Sequence, residues 1–198
     1  MSRAERKKKE EVEIRKRLTS LQWRINNLYW IQTKKGRLLK FKMNQVQLDL
    51  FNNLWWINYV LKSRQLGVST LIAILMLDYS IFRWDDLVTG GSIFQTHKIC
   101  GIIDKTKPDA EKKLDKIKLA YDMLDYKDDP INATLGKEIK KNIKTKSRTK
   151  LYMSWDNGCS IYAGDAFRGL TGQFLHITEI GHVSLHWPQK AIEIKTGT

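Results

Sequence analysis

The chain has 198 residues, 42% of them hydrophobic, with seven Trp, seven Tyr and six Phe. That is enough apolar mass for one domain with a real core, and it excludes a wholly disordered polypeptide. Its 35 Lys and Arg against 21 Asp and Glu leave a formal charge of +14, while two cysteines and a longest apolar run of Leu71–Leu77 exclude a disulfide scaffold and a membrane span of ~20 residues.

Residues 1–42 hold 14 Lys and Arg against four Glu. They read as a basic helical extension, with Leu18–Trp30 as a helix that docks it on the body. Charges recur through Arg17, so the start is not a signal peptide, and the chain reads as a soluble protein that is not secreted. Lys34–Arg37 is a turn and Leu38–Phe41 a short strand. In Gln45–Leu54 the apolar positions 46, 50 and 54 fall on one helical stripe.

Trp55–Leu61 is aromatic and β-branched and predicts a strand. Lys62–Gly67 is a polar turn, and Ser69–Phe82 is apolar on nearly every side, so its helix should be buried. Asp85–Thr96 reads as a loop and Ile99–Ile103 as a buried strand. Pro108 opens a helix to about Leu124, where its missing N–H costs little. Asp128–Lys150 is polar and weakly patterned, and its part 137–150 carries seven Lys and Arg against one Glu. Ser160–Ala163 and Phe174–Thr178 predict two more strands, and Pro188 a last helix. Alternating strands and helices of this kind predict an α/β sandwich with a mainly parallel central sheet flanked by helices.

Two stretches carry chemistry. Between the predicted strand and the buried helix lies Lys62-Ser63-Arg64-Gln65-Leu66-Gly67-Val68-Ser69-Thr70. A phosphate-cradling loop needs that setting, because the free amides and positive dipole of a helix start face the anion. Compared with G-x-x-x-x-G-K-[ST], Val68 replaces the lysine and Lys62 the first glycine, so Lys62 or Arg64 has to supply the cation. Ser69 offers the hydroxyl that Mg²⁺ takes. The second stretch is Phe174-Leu175-His176-Ile177-Thr178-Glu179, an apolar strand ending in a hydroxyl and a carboxylate. Glu179 could polarise an attacking water while Thr178 holds a Mg²⁺-bound water. His176, His182 and His186 lack a completing ligand set and read as structural.

These residues resemble a family. Tyr29–Leu38, Phe41–Gln47, Lys62–Leu71 and Phe167–Thr171 leading into Leu175–Glu179 are similar in order and spacing to the ATPase domain of the large terminase subunit of tailed bacteriophages. The resemblance implies a P-loop NTPase-type fold over 41–198, incomplete at its C-terminus, behind an extension over 1–40. It implies a Mg²⁺-dependent ATP hydrolase that couples ATP hydrolysis to packaging of viral DNA into procapsids. Lys62, Arg64 and Glu179 would then be catalytic. Ser63, Gln65, Leu66, Gly67, Val68, Ser69 and Thr70 would cradle ATP, and Ser69 and Thr178 would hold Mg²⁺. Gln47 would read adenine, an exposed helix role being the alternative and Gln45 the competing residue. Arg168 is a candidate phosphate or neighbour-subunit contact.

The implied partners are double-stranded DNA, a portal protein and a small terminase subunit, with a homo-oligomeric ring in the host cytoplasm and no membrane. No acidic cluster suits a two-metal nuclease site. The rival reading is a basic nucleic-acid-binding or assembly protein on a degenerate P-loop scaffold that does not hydrolyse ATP.

Overall fold

A computed structural model describes Glu5, Glu13 and residues 17–61, 66–84, 92–166, 171–186, 188–189 and 191–192. After a helical stretch ending at Thr19, Ser20 caps helix α1 (Leu21–Asn27) by accepting the Trp23 N–H. Strands β1 (Trp30–Gln32) and β2 (Leu38–Lys40) pair antiparallel around the turn at Gly36. Trp30 therefore belongs to β1 and not to the helix expected over Leu18–Trp30. Helix α2 (Gln45–Asn52) follows, and then α3 (Val68–Ile81).

Beyond α3 come β3 (Ile99–Ile103), α4 (Lys107–Asp122), a 3-10 turn at Met123–Asp125 and α5 (Pro130–Asn142). Strands β4 (Thr145–Arg148), β5 (Tyr152–Trp155), β6 (Ser160–Gly164) and β7 (Phe174–Ile177) lead to α6 (Ile180–His186). Pro188, Gln189, Ala191 and Ile192 are helical as well.

The main sheet has five strands in the order β4-β5-β6-β3-β7. Only β6–β3 and β3–β7 are parallel; β4–β5 and β5–β6 are antiparallel. The expected mainly parallel sheet is therefore a mixed one. Three residues separate β4 from β5 and four separate β5 from β6, and links this short can only join antiparallel neighbours. The segment 128–150, weakly patterned in sequence, is α5 followed by β4. Its helix packs so closely that a Cβ on Gly136 would lie 1.9 Å from the Leu124 carbonyl oxygen.

Helix α3 is buried as its composition requires. Leu71, Ile74, Leu75, Met76, Leu77 and Ile81 are inaccessible to solvent, and each such side chain contributes roughly 1.5–3 kcal/mol when removed from water. The same helix buries Asp78, which meets Arg24 of α1 through Nε and Nη2, with the Tyr29 hydroxyl and the Trp84 indole also donating to it. Two charges taken out of water survive only with such complete pairing. Leu18, Ile25, Leu28 and Tyr29 join the same core as α3, so the N-terminal part of the chain is fastened to the body by packing and by this ion pair.

The predicted strand over Trp55–Leu61 does not form. The Trp55 N–H bonds the Asn58 side-chain oxygen at 2.9 Å, and the Asn58 amide returns a bond to the Trp55 carbonyl. This local ring bends the chain, as Asn side chains do when they compete with a ladder. Trp56, Tyr59 and Leu61 are 80%, 88% and 102% exposed.

Candidate functional site

Helix α3 begins at Gly67, whose φ of 74° lies in the left-handed region and whose side of the helix start carries no side-chain cap. Val68, Ser69 and Thr70 form the first turn, with Val68 buried and the other two half-buried. Gly67 suits the bend because no side chain fits it: a Cβ would approach Gln47 Nε2 to 2.6 Å. Asn44 and Gln47 make a capping box on α2, each side chain bonding the other's backbone N–H. The Gln47 amide then donates to the Gly67 carbonyl at 2.8 Å, and Asn44 Nδ2 donates to the Leu66 carbonyl at 3.3 Å.

Gln47 is thus 4% exposed, which removes the exposed-helix alternative, and both ends of its carboxamide are engaged within the protein. Gln45 is exposed and bonds Asp49. The expected contacts of Lys62, Ser63, Arg64, Gln65 and Arg168 lie outside the described residues.

The direction of α3 follows from its far end. Ser80 Oγ is 3.7 Å from Cys100 Sγ at the start of β3, and Asn157 Nδ2 bonds the Ser80 carbonyl at 2.9 Å. The helix therefore runs antiparallel to β3, and its first turn points to the sheet edge where β3 and β7 end. Thr178 and Glu179 stand at that edge, the Thr178 N–H bonding the Ile103 carbonyl at 2.9 Å.

Two features mark this strand tip. The Thr178 side chain is buried, yet among the described residues its Oγ1 has no hydrogen-bond partner. An unmatched buried hydroxyl costs about 1–3 kcal/mol, so such a group needs a reason. Glu179 is exposed and has φ 56°, a left-handed conformation that costs a non-glycine residue roughly 1–2 kcal/mol.

Three residues that the sequence reading passed over complete the edge. Asp104, inaccessible to solvent, follows β3 and sits beside Thr178 in the strand register. It accepts the Lys105 N–H at 2.7 Å and pairs with Lys113 of α4. One helical turn further on, Lys116 Nζ lies 3.4 Å from Thr70 Oγ1 in the first turn of α3. Desolvation of its amine, with the Lys113 charge second, holds Lys116 below the usual lysine value. The spacing of Lys113 and Lys116, one turn apart on α4, is the only signal of them in the sequence.

No known protein-family model matches the chain, and no curated protein matches it.

The arrangement can hold an anion and a cation together. The amides of Gly67–Ser69 and the Lys116 ammonium favour negative charge, the Thr70 N–H being bonded to the Gly67 carbonyl at 3.0 Å, while Thr178 Oγ1 and the Glu179 carboxylate offer oxygen ligands or a water contact. His176 is half-buried on β7, and the His182 and His186 rings lie 4.4 Å apart on α6. Among the described residues no group of three or more His, Cys, Asp or Glu is placed to hold a metal. Nor is any described helix long and apolar enough to cross a membrane.

Proposed function

We propose that the chain is a P-loop-type ATPase domain of the kind found in phage terminase large subunits, acting on Mg²⁺·ATP. The observation that carries this reading is the buried Thr178 hydroxyl, without a partner among the described residues, beside the left-handed Glu179, on the edge toward which the uncapped first turn of α3 points. Ser69 and Thr178 would hold Mg²⁺, which when bound supplies neutralising charge to the phosphoryl oxygens.

The chain's own residues do the rest. The amides of Gly67–Ser69 orient the phosphates, Lys62 and Arg64 add the cations that Val68 cannot, and Glu179 aligns a water for in-line attack. Gln47 holds the Gly67 bend in shape, and that fixes where the amides point. Double-stranded DNA, a portal protein, a small terminase subunit and a ring of copies belong to this proposal through the resemblance.

Release of inorganic phosphate from ATP with Mg²⁺ tests the reading. The wild-type chain should turn over, and Glu179→Gln should lower the rate by 10²-fold or more, the usual scale for a lost catalytic base. An unchanged rate in that variant would take Glu179 out of the mechanism.

A second reading, DNA binding without hydrolysis, has its own observation. Lys140 and Arg148 are neutralised by Asp125 and Asp122, but Lys137, Lys141, Lys144, Lys146 and Lys150 stand exposed along α5 and β4. A basic stripe of this sort grips a phosphate backbone whatever the state of the ATP site.

A further inference from the structure

Helix α6 forms from a sequence with little helical preference. Four of its seven residues, Gly181, His182, Ser184 and His186, rank low as helix formers, and so short a helix is not stable alone in water. Packing adds little. Ile180 and Leu185 are 39% and 77% exposed, and a Cβ on Gly181 would meet nothing within 4 Å. The Ser184 hydroxyl bonds back to the Ile180 carbonyl at 2.8 Å, a contact that slightly weakens helices. Yet α6 starts directly after Glu179, so its order bears on where that carboxylate stands.

A pair of imidazoles crosses the two turns of this helix. His182 and His186 are exposed and lie four residues apart on one face, with ring centres separated by 4.4 Å and planes inclined by 43°. That separation suits a shared ion. An imidazole nitrogen binds a metal at about 2.0–2.1 Å, which puts each ring centre about 3.2 Å from the ion. Two rings meeting one ion at a right angle then have centres about 4.5 Å apart, against about 5.2 Å at the tetrahedral angle. The pair matches the right-angled case, the geometry of tetragonal Ni²⁺ and Cu²⁺. Nitrogen ligands also separate these ions from Mg²⁺ and Ca²⁺, which take oxygen.

We propose that His182 and His186 form a two-imidazole site for a late first-row divalent metal ion, Ni²⁺ or Cu²⁺, and that the bound ion clamps α6 by bridging its two turns. Among the described residues no third His, Cys, Asp or Glu joins the pair, so water fills the remaining positions. Bridging residues i and i+4 fixes the backbone of the turn between them, which is the costly step in forming a helix. The site is separate from the one that would hold Mg²⁺, and it stands whether or not the chain hydrolyses ATP.

Calorimetric titration of the full, untagged chain with Ni²⁺ tests it, beside hydrogen exchange of the α6 amides. One ion should bind per chain in the tightest step, and α6 exchange should slow when it does. His182→Gln and His186→Gln, both at exposed positions, should each weaken binding at least tenfold, since even loss of a ligand's supporting partner costs a metal site about 10–100-fold. Each variant should also remove the ion's effect on exchange, and Mg²⁺ should produce neither signal. Ni²⁺ affinity that survives either substitution, or binding that leaves the α6 amides unprotected, would overturn the proposal. Uptake of one ion by two chains, with a dimer in sedimentation, would overturn it too by making the site intermolecular.

Discussion

The carboxamide nitrogen of Gln47 lies 2.8 Å from the carbonyl oxygen of Gly67, so helix α2 is fastened to the bend from which α3 starts. The left-handed glycine and the buried amide depend on each other. Gly67→Ala should destabilise the fold by about 1–3 kcal/mol, from backbone strain and displacement of Gln47. Urea denaturation measures it; a change under 0.5 kcal/mol would mean the bend relaxes freely.

Asp78 takes hydrogen bonds from Arg24, Tyr29 and Trp84, and the Arg24 contact is a buried ion pair. Asp78→Ala should cost about 3–5 kcal/mol, because it strands a buried guanidinium. Burial first, then the Asp78 charge, pushes the Tyr29 phenol well above its ordinary value. Spectroscopic titration should accordingly leave Tyr29 un-ionised until the protein unfolds in alkali.

The Lys116 amine should lose its proton more readily in the folded chain than in the unfolded one. Its pKa is lowered in the folded chain, so the native state binds fewer protons than the unfolded one between that lowered value and the usual lysine value. Its contribution to stability therefore rises with pH across that window. Mass-spectrometric mapping with a limiting acylating reagent should find Lys116 modified at lower pH in the folded chain than in the urea-unfolded chain. Equal labelling would contradict the desolvated environment.

Cys100 should be inert. Burial pushes its thiol up to about 12, and it is inaccessible to solvent; Cys159 is raised for the same first reason. Maleimide at pH 8 should label neither until denaturant opens the core. Rapid labelling of Cys100 would show that β3 is not a central strand.

Much of the fold was legible where one signal dominated. The unbroken apolar run of Leu71–Leu77 predicts a buried helix, Pro108 sits in the first turn of α4, and Phe174–Ile177 is a strand. Helix α5 was hidden because Gly136 interrupts a polar sequence, yet that glycine is what lets it touch Leu124. Trp55–Leu61 has strand composition, but one Asn in its middle offers the backbone a closer partner. In the candidate site, Gly67, Ser69, Thr178 and Glu179 stood out by spacing. Asp104, Lys113 and Lys116 did not, because a strand-ending Asp and two helical lysines become a cluster only when α4 folds back over β3.

One triphosphate served by both the first turn of α3 and the tip of β7 has a direct signature. Mn²⁺ in place of Mg²⁺, added with a non-hydrolysable ATP analogue, broadens the NMR signals of nearby amides and so reads this directly. Gly67–Thr70 and Thr178–Glu179 should broaden together, and Mn²⁺ without nucleotide should leave Gly67–Thr70 sharp. Broadening at only one of the two segments, or at neither, would contradict it.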